Sequence, residues 1–177
     1  MNNELIGLFK KMAEEVSAVI YLSKTENDVT EYIAGVMKMN GHLRFAAPAV
    51  PDTFCRNLER GGFEKIRSPL RERAGEIDAG IVIASFGIAE TGTLVVNSNS
   101  EDTRLATMLS ETNFVLLNSE NIVEKSFDLA DELNEWFMER NYTAFITGPS
   151  RTADIERVLT LGAHGPSQLH IILINNK

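Results

Sequence analysis

Cysteine is almost absent from this chain. Cys55 is the single one among 177 residues. No internal disulfide can form, and one thiolate cannot hold an iron–sulfur cluster or a cysteine-rich zinc site. A buried free thiol is the expected state. Histidine is scarce as well, and His42, His164 and His170 show no metal-binding spacing. No metal site is expected on this chain. Long apolar runs are missing too: none approaches the roughly 18 residues of a membrane span. The opening MNNELIGLFKKMAEE carries charges where a signal peptide would have its apolar core. A cytoplasmic protein without membrane contact is expected. Positive charge is in deficit, with 17 Lys and Arg against 25 Asp and Glu, for a formal net charge of −8. Sequence-independent nucleic-acid binding needs a positive surface, so no nucleic-acid partner is expected. No catalytic triad, P-loop, GxGxxG or internal repeat is present.

What is there is the composition of an ordinary globular domain, 44% hydrophobic and 24% charged. Leu5, Leu8, Phe9, Met12, Val16, Val19 and Ile20 fall at helical spacing over residues 4–22. Thr25 and Asp28 form a capping-box pattern for a second helix, which Asn40-Gly41 ends. Residues 1–40 therefore read as a helical pair, an extension packed on an α/β domain at 41–177. Leu43 to Ala47 reads as a strand and Asp52 to Arg60 as a helix. Residues 63–79, with Arg67, Arg71 and Arg73 among acids, read as a solvated connection.

Ile81 to Ala84 and Thr93 to Val96 read as strands, with a tight turn between them at Thr91-Gly92. Ser100 caps a helix to Leu109, and Phe114 to Leu117 is a strand. Ser126 caps a helix, Ala144 to Thr147 is a strand, Ser150 or Thr152 opens a helix, and Leu169 to Ile174 is the last strand. Strand and helix alternate through the second half. That order predicts an open, mostly parallel sheet flanked by helices.

Two turns carry chemistry. Gly148-Pro149-Ser150-Arg151-Thr152 follows a strand and precedes a predicted helix. In an open α/β sheet, ligands sit beyond the carboxyl ends of the strands. A helix N-terminus with a guanidinium and two hydroxyls suits a small carboxylate or phosphate. Capping by Ser150 or Thr152, with Asp154 and Glu156 favouring the dipole, explains part of the same pattern. His164 stands in the following Gly-rich turn, as an acid, a base, a hydrogen-bond donor or a structural residue. Glu90, beside Thr91, Gly92 and Thr93, reads as a base, nucleophile or ligand anchor, or as an exposed turn carboxylate.

The strings AETGTLVV, GPSRTADIE and GAHGP, in this order, resemble the lactate-utilization protein C family, whose shared unit is the LUD domain. The signatures of that family read like AETGT, GPSRTADIE and G-x-HGP. They match Ala89 to Thr93, Gly148 to Glu156 and Gly162 to Pro166 here. The resemblance covers roughly residues 43–175. After Arg104 the family often has a Leu-Pro step and a His before the next strand; this chain has Leu109-Ser110 and Asn113-Phe114.

The resemblance implies a fold like that of the NagB/RpiA/CoA-transferase group. It also implies an accessory role with iron–sulfur partner proteins that oxidise L-lactate to pyruvate, with the clusters held by those partners. Glu90 and His164 are the catalytic candidates. Thr91, Gly92, Thr93, Gly148, Ser150, Arg151, Thr152, Asp154 and Gly165 are the ligand-binding ones. The competing expectations are a stand-alone enzyme on a CoA ester or sugar phosphate, and a carboxylate-sensing module.

Overall fold

The structure is a computed structural model that describes residues 2–152, 160–161 and 165–175. Along the chain run α1 (Asn2–Glu15), β1 (Val19–Ser23), α2 (Glu26–Met39), β2 (Arg44–Ala46), α3 (Asp52–Arg60) and β3 (Glu64–Lys65). A 3-10 stretch, Leu70–Glu76, leads to β4 (Ala79–Ala84), β5 (Phe86–Ile88), β6 (Thr93–Asn97), α4 (Glu101–Leu109) and β7 (Thr112–Asn118). Then come β8 (Ile122–Val123), a 3-10 turn at Ser126–Leu129, α5 (Ala130–Met138), β9 (Thr143–Ile146), β10 (Arg151–Thr152), β11 (Thr160–Leu161) and β12 (Gln168–Ile174).

Six strands form a wholly parallel sheet in the order β1-β12-β7-β4-β2-β3. This is the expected α/β architecture. Its central strands carry unbroken apolar runs, Phe114 to Leu117 in β7 and Ile171 to Ile174 in β12, because both faces are covered. Ile81, Phe114, Leu116 and Ile172 pack against Val29, Ile33, Met37, Phe54 and Leu58 of α2 and α3. Their alternate neighbours Val82, Val115, Leu117, Ile171 and Leu173 face the other way, onto Phe9 and Ala13 of α1, Leu94 and Val96 of β6, and Ala106 of α4. Among the described residues no helix is long and apolar enough to cross a membrane.

Several local expectations hold. Thr25 and Asp28 close the capping box: the Thr25 hydroxyl accepts from the Asp28 amide, and the Asp28 carboxylate from the Thr25 amide, both at 3.1 Å. The connection after α3 is solvated only in part: Phe63, Ile66, Leu70 and Ile77 are buried and Glu64–Lys65 pairs with β2, while Arg67 pairs with Glu59 at 3.1 Å and Arg73 with Glu64 at 2.8 Å and Glu76 at 2.7 Å. Arg71 pairs with Glu101.

Others need correction. The apolar spacing over 4–22 is not one helix. α1 stops at Glu15, where Ser17 takes a left-handed conformation (φ 69°). The Ser17 amide bonds the Glu14 carbonyl and the Ala18 amide bonds the Ala13 carbonyl, a Schellman stop without glycine. Val19 to Ser23 then pairs with His170 to Ile174, so a strand of the main sheet lies between the two N-terminal helices. Pairing with β12 overrides the helical spacing.

The turn at Thr91-Gly92 does not join β4 to β6. It joins β5 to β6 in a second sheet of four strands, ordered β8-β5-β6-β9, where β6 is antiparallel to both neighbours. The strand at 144–147 belongs here, not to the parallel sheet. Ser126 does not cap with its side chain; its amide donates to Glu90 Oε1. Arg151–Thr152 pairs antiparallel with Thr160–Leu161. The helix expected from Thr152, with Asp154, lies outside the described residues, as does His164.

Candidate functional site

Pairing of β6 with β9 brings the two turn motifs together. In the register Leu94↔Ile146, the next step places Thr93 beside Thr147. Their hydroxyls share a hydrogen bond of 2.8 Å, and Thr93 shares another of 2.7 Å with Thr91. Thr93 is buried, and Thr91 and Thr147 are exposed. A three-hydroxyl chain thus links the AETGT turn to the segment before Gly148.

The second turn joins on the other side. The Ser150 amide donates to the Pro166 carbonyl at 2.8 Å, and Gly165 lies against the Ser150 side chain. The end of α1 closes the junction. Gly92 and Gly148 both have positive φ, 64° and 75°, and both sit against its backbone. A Cβ on Gly92 would lie 2.3 Å from the Ala13 nitrogen, and one on Gly148 2.2 Å from the Val16 oxygen. Only glycine fits such backbone-on-backbone contact.

Beside this junction is a cavity of about 230 Å³. Its described lining comes from α4 (Thr107, Met108), the start of β7 (Asn113), the run from Phe145 to Ser150, the turn Gly165-Pro166, and Leu169 of β12. Asn113 and Leu169 are each the second residue of their strand, so the cavity lies at the amino ends of β7 and β12. That corrects the placement expected from the sequence. The loop after β9 follows an antiparallel strand of the smaller sheet, so the carboxyl-end rule does not locate it.

Among the sequence candidates, Gly148, Ser150 and Gly165 line this cavity. Thr93 reaches it through Thr147. Arg151 follows Ser150 directly and is exposed, but does not line the wall; Thr152 is its neighbour in β10. Thr91 is the far end of the hydroxyl chain, and Gly92 sits against the end of α1. No charged side chain lines the cavity among the described residues.

Glu90 is exposed and turned elsewhere. Its Oε1 accepts from the Ser126 amide at 3.0 Å and the Ser126 hydroxyl at 3.4 Å, at the start of the 126–129 turn. This is a capping contact. Glu90→Ala should therefore cost about 1 kcal/mol in urea unfolding, and Glu90→Gln, which keeps an acceptor oxygen, clearly less.

Sequence reading missed Asn113 as a lining residue. Its one signal was the departure from the family pattern at that position. A second cavity, about 470 Å³, does lie at the carboxyl ends of the parallel strands. Ile83, Leu116 and Ile174 form its floor, and Lys24, Thr25 and Thr53 stand at the starts of α2 and α3. Among the described residues no cluster of His, Cys, Asp and Glu is placed to hold a metal. Cys55 is buried on α3, where burial pushes its thiol pKa up.

The chain is similar to an uncharacterised protein of Neisseria meningitidis serogroup B, at 35% identity over 75% of this chain and 57% of that protein. It is similar to lactate utilization protein C of Bacillus velezensis, at 29% identity over 60% of this chain and 46% of the relative. The chain spans about half the length of these curated relatives. In fold it matches the crystal structure of a DUF162 family protein from Deinococcus radiodurans, with a TM-score of 0.75, 18% identity and 98% of each chain covered. The LUD domain model matches residues 6–174, a span that takes in the main sheet, the smaller sheet and all three turns of the junction. This chain belongs to the LUD domain family.

Proposed function

We propose that this protein is an accessory component of a lactate-oxidising system, which holds a small hydroxy acid at the junction while partner proteins carry the iron–sulfur chemistry. One observation carries the reading. Two turn segments, 147–150 and 165–166, line one cavity and are joined by the Ser150–Pro166 hydrogen bond, and a third, 91–93, is tied to them through the Thr93–Thr147 hydrogen bond. Stability alone does not call for three such turns beside an open space.

Two further points support it. Lactate utilization proteins are among the relatives. The chain's one thiol is buried, whereas a cluster needs several thiolates; clusters therefore fit partner proteins. Arg151 does not line the cavity, but it is exposed next to Ser150, which does, and is the charge this reading assigns to the ligand's carboxylate. Arg151→Ala should weaken binding of L-lactate at least about tenfold, read by calorimetric titration. Unchanged affinity removes Arg151 from the site.

The direct test is affinity capture of the tagged protein from its own host grown on lactate. Stoichiometric recovery of cysteine-rich iron–sulfur proteins is expected. Recovery of the protein alone counts against the accessory role. The larger cavity at the carboxyl ends, with Lys24 at its rim, favours a second reading. In that reading the chain is a stand-alone enzyme on a CoA ester or sugar phosphate, and turnover by the purified protein decides it.

A further inference from the structure

Asn113, on the wall of the smaller cavity, has a buried polar atom without a partner among the described residues. Asn113 is 1% exposed. Its Nδ2 donates to the Thr107 carbonyl at 3.2 Å, while Oδ1 has no hydrogen-bond partner among the described residues. Turning the amide over does not help: Oδ1 would then face the Thr107 carbonyl, acceptor against acceptor. Of the neighbouring hydroxyls, that of Ser110 is buried and makes no hydrogen bond to Oδ1 or to any other described group, and two are engaged. Thr107 donates to the Thr103 carbonyl at 2.7 Å, and Thr147 is bonded to Thr93. Such an orphan acceptor is costly, and where it persists it marks a place for a missing partner.

The orphan is an acceptor, so the missing partner is a donor. An anionic oxygen cannot fill that place, nor can a ketone. The rest of the wall is apolar or uncharged, with Met108, Phe145 and Leu169 prominent. We propose that Asn113 sets the specificity of this cavity, its Oδ1 accepting a hydrogen bond from the alcohol group of a small hydroxy acid. The inference rests on the small-ligand reading above and deepens it. A keto acid presents a second acceptor to Oδ1, and a deoxy acid leaves it unmatched. The site therefore retains the reduced acid and releases the oxidised one.

The test titrates 15N-labelled protein with L-lactate, pyruvate and propionate, following the Asn113 side-chain amide resonances. Lactate should bind at least about tenfold more tightly than either analogue, as expected for one hydrogen bond gained in a buried site. It should also shift the Asn113 resonances. Asn113→Leu should bind lactate and propionate alike, with thermal unfolding checking that the variant folds. If it does not fold, Met108→Trp takes its place. Met108 is 56% exposed on the cavity wall, and the larger ring fills the space and should abolish the lactate response.

Equal affinity for the three acids, or no binding of any of them, overturns the proposal. Equal affinity together with intact capture of iron–sulfur partners overturns this inference alone. A lactate preference without partner capture removes the accessory role and leaves Asn113 in place.

Discussion

Gly148→Ala should lower the free energy of unfolding by about 3 kcal/mol or more. Two costs add. A left-handed conformation costs a residue with a Cβ about 1–2 kcal/mol, and Gly148 holds φ at 75°. The new methyl would also lie 2.2 Å from the Val16 carbonyl oxygen. That oxygen is backbone at the end of α1, so relief requires the helix end to move. Forced repacking of this kind costs about 1–3 kcal/mol. The displaced helix end also rests on Gly92, so the β5–β6 turn loses its support.

Urea unfolding measures the loss, and lactate titration should show the site weakened with it. Gly7→Ala is the control. Gly7 is exposed within α1, and a Cβ there meets nothing within 4 Å. That change should stabilise by about 0.5–1 kcal/mol. Equal effects at the two positions would mean that α1 does not seat on the turns.

The protein should also lose about 3 kcal/mol of stability between pH 6.5 and pH 4 through one residue. His170 lies in β12 and is 5% exposed. Its Nδ1 shares a hydrogen bond with the Tyr32 hydroxyl at 2.7 Å, and its Nε2 faces Gln168 Oε1 at 3.3 Å. Phe114 packs at 5.1 Å between ring centroids. Burial pushes its pKa down from the ordinary 6.5 to about 4.

The sign follows from proton uptake. Below pH 6.5 the unfolded chain binds a proton that the folded chain refuses, so stability falls as pH falls. Near pH 4 the folded form takes the proton too, and the loss levels off. At ~1.4 kcal/mol per pH unit the interval gives about 3 kcal/mol. Asp52, Glu76 and Asp78 have carboxyls held below their ordinary values of 3.8, 4.5 and 3.8. Their contributions are lost at the acid end of this range and below it, so the slope from pH 6.5 down to about 5 belongs to the histidine. His170→Leu should flatten that slope in denaturant unfolding followed against pH; an unchanged slope would place the titration elsewhere.

The parts of the fold that the sequence revealed were those with a local physical signature. The Thr25–Asp28 box announced α2, and Gly61-Gly62 marked the end of α3. The apolar runs of β7 and β12 reflected a sheet covered on both faces. What stayed hidden depended on distant partners. Val19 to Ser23 fits either period, and only β12 decides that it is a strand. Phe86 to Ile88 is too short to show alternation.

The same distinction governs the site. The turns at 90–93 and 148–151 are visible as Gly-rich punctuation. Their meeting is not, because it depends on β6 pairing with β9 outside the parallel sheet. The choice between the amino and carboxyl ends of the parallel strands therefore could not be made from the sequence. Asn113 stands at the polar start of β7, and only the packing of α4 against the sheet leaves its oxygen without a partner among the described residues.

The measurement that tests the account most directly is a crystal structure of the protein grown with L-lactate. Lactate should appear in the smaller cavity, between Asn113 and Ser150, with its alcohol oxygen at hydrogen-bond distance from Asn113 Oδ1. Lactate in the larger cavity beside Lys24 and Thr25, with the smaller one empty, would contradict the account and move the functional site to the carboxyl ends of the parallel strands.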